Sequence, residues 1–169
     1  MNRKTLYISD SHFFHGNIIK YCNRPFADVD EMNKAMIRNW NSVVSENDVV
    51  WFLGDFSFSR KPGEVEAIFN ALNGEKHIVI GNHDSQSTLH LFKSWQPYKE
   101  LTDGAYSLVL FHYPILSWNR RHHGSLHFYG HVHNTPMEVK MPENSYNICA
   151  EFMDYTPKTV AEIVERGQR

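Results

Sequence analysis

Cysteine is all but absent. Cys22 and Cys149 stand far apart and form no C-x-x-C pair. That excludes a disulfide scaffold, and it fits reduced thiols in a cytoplasmic protein. Long apolar runs are also missing. The chain opens Met1-Asn2-Arg3-Lys4 and enters a strand pattern at once, so neither a signal segment nor a membrane span is expected. Charge of one sign is not in excess either. A formal net charge of −2 gives no overall field to draw nucleic acid. No repeat, low-complexity run or linker divides the chain, and residues 1–169 read as one domain. A hydrophobic share of 41% is ordinary for a globular chain. At this length roughly 70% of the unfolded surface can be buried without a disulfide or metal staple. What the sequence does have is histidine, eleven in all.

Those histidines follow a pattern of strands that stop abruptly. Thr5-Leu6-Tyr7-Ile8 reads as a strand ending in Ser9-Asp10-Ser11-His12. A short helix is expected around Asn17–Tyr21, broken before Arg24-Pro25. Asp28 and Glu31 have capping-box spacing, and Val29, Met32, Met36, Trp40 and Val43 continue as the apolar face of a four-turn helix. Val49 to Leu53 is a buried strand ending in Gly54-Asp55. A helix opened by Pro62 follows, with Val65, Ile68, Phe69 and Leu72 on one face. Lys76 to Ile80 runs into Gly81-Asn82-His83-Asp84, where Gly81 is expected to free the backbone for a sharp turn. A weaker helix is expected over 87–95. Strands at Tyr106–Phe111 and Leu126–Tyr129 end in His112 and in Gly130-His131-Val132-His133. A strand at Tyr146–Ala150 and a helix capped by Thr156-Pro157 complete the chain.

Strand–helix alternation in the first half implies a parallel sheet, and the later strands suit a mixed or antiparallel arrangement. Open α/β sheets place ligands beyond the carboxyl ends of their strands. If the sheets share an edge, Asp10, His12, Asp55, Asn82, His112, His131 and His133 meet there. Carboxylate, imidazole and amide oxygen without thiolate suit Mn, Fe, Zn, Ni or Co, and argue against a structural zinc. Seven such donors exceed what one tetrahedral ion needs, so two divalent ions sharing a carboxylate is the economical reading. Paired ions clamp the attacking and leaving oxygens of a displacement at phosphorus. One histidine is then left over to protonate the leaving oxygen.

Asp10-Ser11-His12, Gly54-Asp55, Gly81-Asn82-His83-Asp84, His112 and Gly130-His131-Val132-His133 resemble the five blocks of the calcineurin-like metallophosphoesterases. Phe13-Phe14-His15-Gly16-Asn17-Ile18-Ile19, His112-Tyr113-Pro114 and the tail from Tyr146 to Pro157 are similar to the small bacterial and phage members. The resemblance implies an α/β fold with two β-sheets packed as a sandwich flanked by helices, in four layers. It implies that Asp10, His12 and His133 bind one ion and that Asn82, His112 and His131 bind the other, with Asp55 bridging. It makes His83 the general acid, oriented by Asp84, in hydrolysis by a hydroxide between the two ions. Manganese is the first ion expected to serve in vitro. In one respect the chain departs from the protein-phosphatase pattern: Ser59 stands where many relatives carry an arginine, and Arg60 is one step further on.

His15, three residues beyond His12, is a candidate for substrate contact, and so are Arg120, Arg121 and His122 beside Trp118. His77 and His90 read as structural or surface histidines, His127 as structural, and Arg24 as a packing residue first, with anchoring of the loop around the site as its second reading. The expected activity is hydrolysis of phosphate esters, chiefly phosphodiesters of small molecules or nucleotides, with nucleic acid entering only as a substrate. The alternatives are a nuclease acting on polynucleotide ends and a silent protein-binding scaffold. Retention of His83, Asp84 and every donor argues against the scaffold.

Overall fold

A computed structural model describes residues 3–59, 61 and 63–167, so the expectations placed on Arg60 and Pro62 lie outside the described residues. The chain folds into two four-stranded sheets flanked by helices. In the first sheet β1 (Thr5–Ile8), β2 (Val49–Phe52), β3 (Glu75–Val79) and β4 (Ser94–Gln96) lie in sequence order, all parallel. Parallel neighbours need crossovers. Among the helices, α1 (Gly16–Tyr21) and α2 (Val29–Val43) lie between β1 and β2, α3 (Glu64–Ala71) between β2 and β3, and α4 (Gln86–Leu89) between β3 and β4. The second sheet has the order β5 (Tyr98–Asp103), β6 (Tyr106–Phe111), β7 (Leu126–Tyr129), β8 (Ser145–Asn147). Its first pair is antiparallel and the rest parallel, the mixed arrangement that the sparser helices suggested.

Local chemistry sets the helix boundaries. The Asp28 side chain accepts the Glu31 amide at 2.8 Å and starts α2, whose buried face carries Met32, Ala35, Met36 and Trp40. Losing such a cap typically costs about 1 kcal/mol. Trp40 stacks near Phe52 of β2, and Phe69 of α3 meets Phe56 and Phe92 edge-on, so α2 and α3 cover the first sheet with aromatic contacts. Tyr7 of β1 meets Phe128 of β7 edge-on at 5.3 Å across the sandwich. The last helix, α5 (Val160–Arg166), is capped by Thr159 with Glu162 in a full capping box, not by Thr156-Pro157. No helix among the described residues is long and apolar enough to cross a membrane.

Other elements differ from the sequence expectation too: the strand expected over Tyr146–Ala150 is the shorter β8, Ser145–Asn147. The helix expected over 87–95 ends at Leu89, and Ser94–Gln96 pairs with β3 as a short edge strand. β5 was not expected, although Asp103-Gly104 between two extended runs is a hairpin signal; Gly104 sits at φ +57° in that turn.

His127 lies inside β7, fully buried. Its Nδ1 faces the Val109 carbonyl at 3.2 Å, and its Nε2 accepts from the Ile115 amide at 3.4 Å. One donor and one acceptor define a neutral ring, as expected of a structural histidine. Burial pushes its pKa down to about 4, against weaker opposition from the Val109 and Tyr113 backbone. An unfolded histidine takes its proton near pH 6.5, so this contribution to stability is complete above 6.5 and lost as pH falls toward 4. His127→Gln, which cannot titrate, is expected to flatten that loss by up to about 1.4 kcal/mol per pH unit. Urea unfolding between pH 7 and 4.5 reads it; a slope equal to the wild type's contradicts the assignment.

Candidate metal centre

The carboxyl ends of β1, β2, β3, β6 and β7 converge on one edge of the sandwich, and the loops leaving them are cross-tied. The Asp10 amide donates to the Gly54 carbonyl at 3.0 Å, and the Gly130 amide to the His112 carbonyl at 2.8 Å. The His131 amide reaches Asp10 Oδ2 at 3.0 Å. Asp10, His12, Asp55, His131 and His133 all adopt left-handed backbone, with φ between 48° and 70°. This conformation costs about 1–2 kcal/mol per non-glycine residue. Such backbone persists where the surroundings hold it in place, and it recurs at functional sites.

Two glycines make room for the carboxylates. A Cβ on Gly130 would fall inside the Asp10 carboxylate and the Ser9 hydroxyl; one on Gly81 would fall inside the Asp55 carboxylate. Gly81 is not in the left-handed region. It serves close approach, not the unusual torsion expected of it.

Asp10 is fully buried. Its Oδ2 is saturated by Ser9 Oγ, the His131 amide and the Cys149 thiol, whereas Oδ1 has no hydrogen-bond partner. Burial alone would raise its pKa, but the nearby His12, His112 and His133 outweigh it and hold the carboxyl ionised. Both ring nitrogens of His12 are buried and likewise without partners. Asp10 Oδ1 lies 3.8 Å from His12 Nε2 and 3.7 Å from His133 Nε2. Asp55 Oδ2 stands 3.6 Å from His12 Nε2 and 3.6 Å from His112 Nε2, between the two clusters. Donor atoms of Asp10, His12 and His133 all lie within 4.8 Å of one another, and so do those of Asp55, His112 and His131. Asn82 joins the second group: its Oδ1 lies 3.1 Å from His112 Nε2 and 2.9 Å from His131 Nδ1. The bare, buried Asp10 Oδ1 and His12 nitrogens, set among carboxylate, imidazole and amide donors that are all hard or borderline in character, fit divalent cations.

The imidazoles are aimed from behind, as metal-ligating histidines are. His112 Nδ1 faces the Leu53 carbonyl at 2.7 Å, which leaves Nε2 to the site. His133 Nδ1 faces Glu151 Oε1 at 3.1 Å. Burial opposes charge on His133, but Cys22, Glu151 and Asp10 outweigh it and push its pKa up to about 10. A field that favours a proton there also favours a metal cation. Arg24, buried, donates to the carbonyls of Asp10 and Ser11 at 2.7 Å and pairs with Glu151 at 2.8 Å. It is the loop anchor, one of the two roles its sequence setting allowed. Glu151 had no sequence signal: it follows the strand pattern of Tyr146–Ala150 without a motif of its own.

Asp84 does not act through the His83 ring as expected. Its carboxylate accepts the backbone amides of Gly81 at 2.8 Å, Asp55 at 2.9 Å and Phe56 at 3.0 Å. Asp55 Oδ1 in return accepts the His83 amide at 2.8 Å. Asp84 therefore locks the loop after β2 to the loop after β3, and places His83 through the main chain. The His83 side chain is exposed beside the donors, its ring 5.6 Å from that of His12. His15 also flanks the site, 5.4 Å from His12 and stacked on Phe58 at 4.0 Å. Burial and then the His12 charge push its pKa down to about 4, so it is neutral near pH 7.

The structure does not bring the basic cluster to this edge. Arg120, Arg121 and His122 precede β7, which runs parallel to β6 and only reaches the site at His131. At about 3.3 Å per residue, the start of β7 is roughly 16 Å from His131. Arg121 instead packs over Trp118 and donates to the Leu116 carbonyl.

The sandwich gathers at one edge two groups of side chains that could hold a metal ion. Residues 4–147 match the model of the calcineurin-like phosphoesterase superfamily domain, and the chain belongs to that superfamily. It is 36% identical to the uncharacterized protein MJ1445 of Methanocaldococcus jannaschii, over 98% of this chain and 94% of that one. The Gene 66 protein of Mycobacterium phage L5 is 24% identical, with 77% of each chain covered. The protein of unknown function AQ665 from Aquifex aeolicus has the same fold, with a TM-score of 0.78 at 25% identity, 97% of this chain and 99% of that one covered.

Glu151→Gln keeps an acceptor for His133 but removes the charge that makes its imidazole a stronger donor. Manganese affinity by calorimetry is expected to fall about 10- to 100-fold, with the circular dichroism spectrum retained. Unchanged affinity contradicts the role given to Glu151.

Proposed function

We propose that this chain is a two-metal phosphoesterase that hydrolyses phosphodiesters of small molecules or nucleotides, with manganese competent in vitro. Asp10, His12 and His133 would hold one ion, Asn82, His112 and His131 the other, and Asp55 would be shared. The observation that carries this reading is the bare Asp10 Oδ1 and the bare His12 ring nitrogens, buried beside Asp55 Oδ2. Bound divalent ions would supply the positive charge that acidifies water and stabilises charge on phosphoryl oxygens.

His83 belongs to neither donor group. It is exposed and lines the cleft next to Asn82, where a leaving oxygen is within reach of its proton. Its amide is held by Asp55, so the proton donor and the shared carboxylate are positioned by one hydrogen bond. The open cleft suits a diester, which brings a group on each side of phosphorus.

With manganese present, bis(4-nitrophenyl) phosphate is expected to be cleaved faster than 4-nitrophenyl phosphate. His83→Ala is expected to lower that turnover by about two or more powers of ten, with metal content by elemental analysis unchanged. Wild-type turnover in the variant removes His83 from its role, and cleavage of no phosphate ester with Mn, Fe, Ni, Zn or Co overturns the enzymatic reading.

A further inference from the structure

A cleft of about 640 Å³ opens between the loop after β2 and the loop after β3, and Asn82 and His83 form part of its wall. Its volume lies in the range of small-molecule sites. Phe58 and Leu91 give it apolar surface, and Ser59, Ser85 and Ser87 line it with hydroxyls. Phe58 is an exposed aromatic, 43% accessible, on a chain whose other phenylalanines are largely packed inside. Its ring is propped rather than buried: His15 stacks against it at 4.0 Å and 10°, and His83 meets it edge-on at 5.3 Å. Both imidazoles also neighbour His12, at 5.4 and 5.6 Å. Only one ring separates Phe58 from the donor cluster, about the span between a nucleotide's phosphate and its base.

We infer that this cleft binds the leaving group of the substrate and that the group is a nucleoside, with its base against Phe58. The inference rests on the phosphodiesterase reading and names the substrate class within it. An aromatic wall suits a planar base, and a simple alkyl alcohol would make no use of it. In the step itself water forms the new bond to phosphorus. The bond from phosphorus to the nucleoside oxygen breaks, that oxygen takes the proton from His83, and free nucleoside is released beside a phosphomonoester; the proton given up by the attacking water passes to solvent, from which His83 is reprotonated. Phe58 is then the residue that determines specificity, through a stack that tolerates any base because every base has a π-face.

Adenosine is the probe. In NMR shift titrations of the metal-free protein it is expected to bind the wild type. Phe58→Leu should weaken binding about tenfold, the effect of one lost base–aromatic stack, while Phe58→Trp retains it. Ser87→Trp, at an exposed position on the opposite wall, should also abolish it by filling the cleft. With manganese, adenylyl-(3′→5′)-adenosine should release adenosine, with a KM that rises in Phe58→Leu. Adenosine binding that is absent, or equal in all four proteins, overturns the nucleoside cleft. Cleavage of bis(4-nitrophenyl) phosphate is followed in parallel: if it proceeds while adenosine ignores Phe58, only the cleft assignment fails. Phe58-dependent adenosine binding without cleavage of any ester overturns the enzymatic reading and with it the leaving-group role of the cleft.

Discussion

Two carboxylates, Asp10 and Asp55, lie where water hardly reaches, at 0% and 2% exposure. Burying an ionised carboxylate costs several kcal/mol even after relaxation, unless charge and hydrogen bonds compensate it. Asp10 is only half compensated. Donors fill Oδ2, while Oδ1 has no hydrogen-bond partner and faces His12 Nε2 and His133 Nε2 at 3.8 and 3.7 Å. The rest of the strand-end architecture serves that unfinished coordination. A cation between these groups would remove the desolvation penalty of the carboxylate and satisfy the idle lone pairs together.

Everything around the edge resists relaxation of this arrangement. Left-handed residues hold Asp10, His12, Asp55, His131 and His133 out of the strands, and glycines at 81 and 130 let neighbouring backbone approach the carboxylates closely. Asp84 ties the loop after β2 to the loop after β3, and Arg24 with Glu151 ties the loop after β1 to His133. A site braced from both sheets keeps its donors together against their mutual crowding, the pre-organisation that metal binding and electrostatic catalysis both need.

Much of this was legible in the sequence because the strands carry their signal locally. β1 and β6 are strand patterns that stop where the polar donors begin, and the Asp28–Glu31 cap announces α2. Parallel topology gathers the donors of the first sheet, and their meeting with His112, His131 and His133 was expected only if the two sheets shared an edge. What was not legible depends on tertiary contact. β4 is three residues of edge strand with little apolar pattern, and β5 alternates exposed and half-buried residues. Asp84 looks in sequence like a partner for the adjacent His83 ring, yet the fold turns it toward three amides. Arg120, Arg121 and His122 look like a phosphate grip, yet strand direction carries them to the far end of β7. Glu151 and Phe58 have no motif; only the positions of His133, His15 and His83 give them meaning.

The central claim is that two cations share Asp55. Crystals grown with manganese and measured for anomalous scattering test it most directly. The account predicts two peaks, one against Asp10, His12 and His133 and one against Asn82, His112 and His131, with Asp55 Oδ2 between them. A single peak, or peaks elsewhere with the Asp10 Oδ1 position empty, would contradict it.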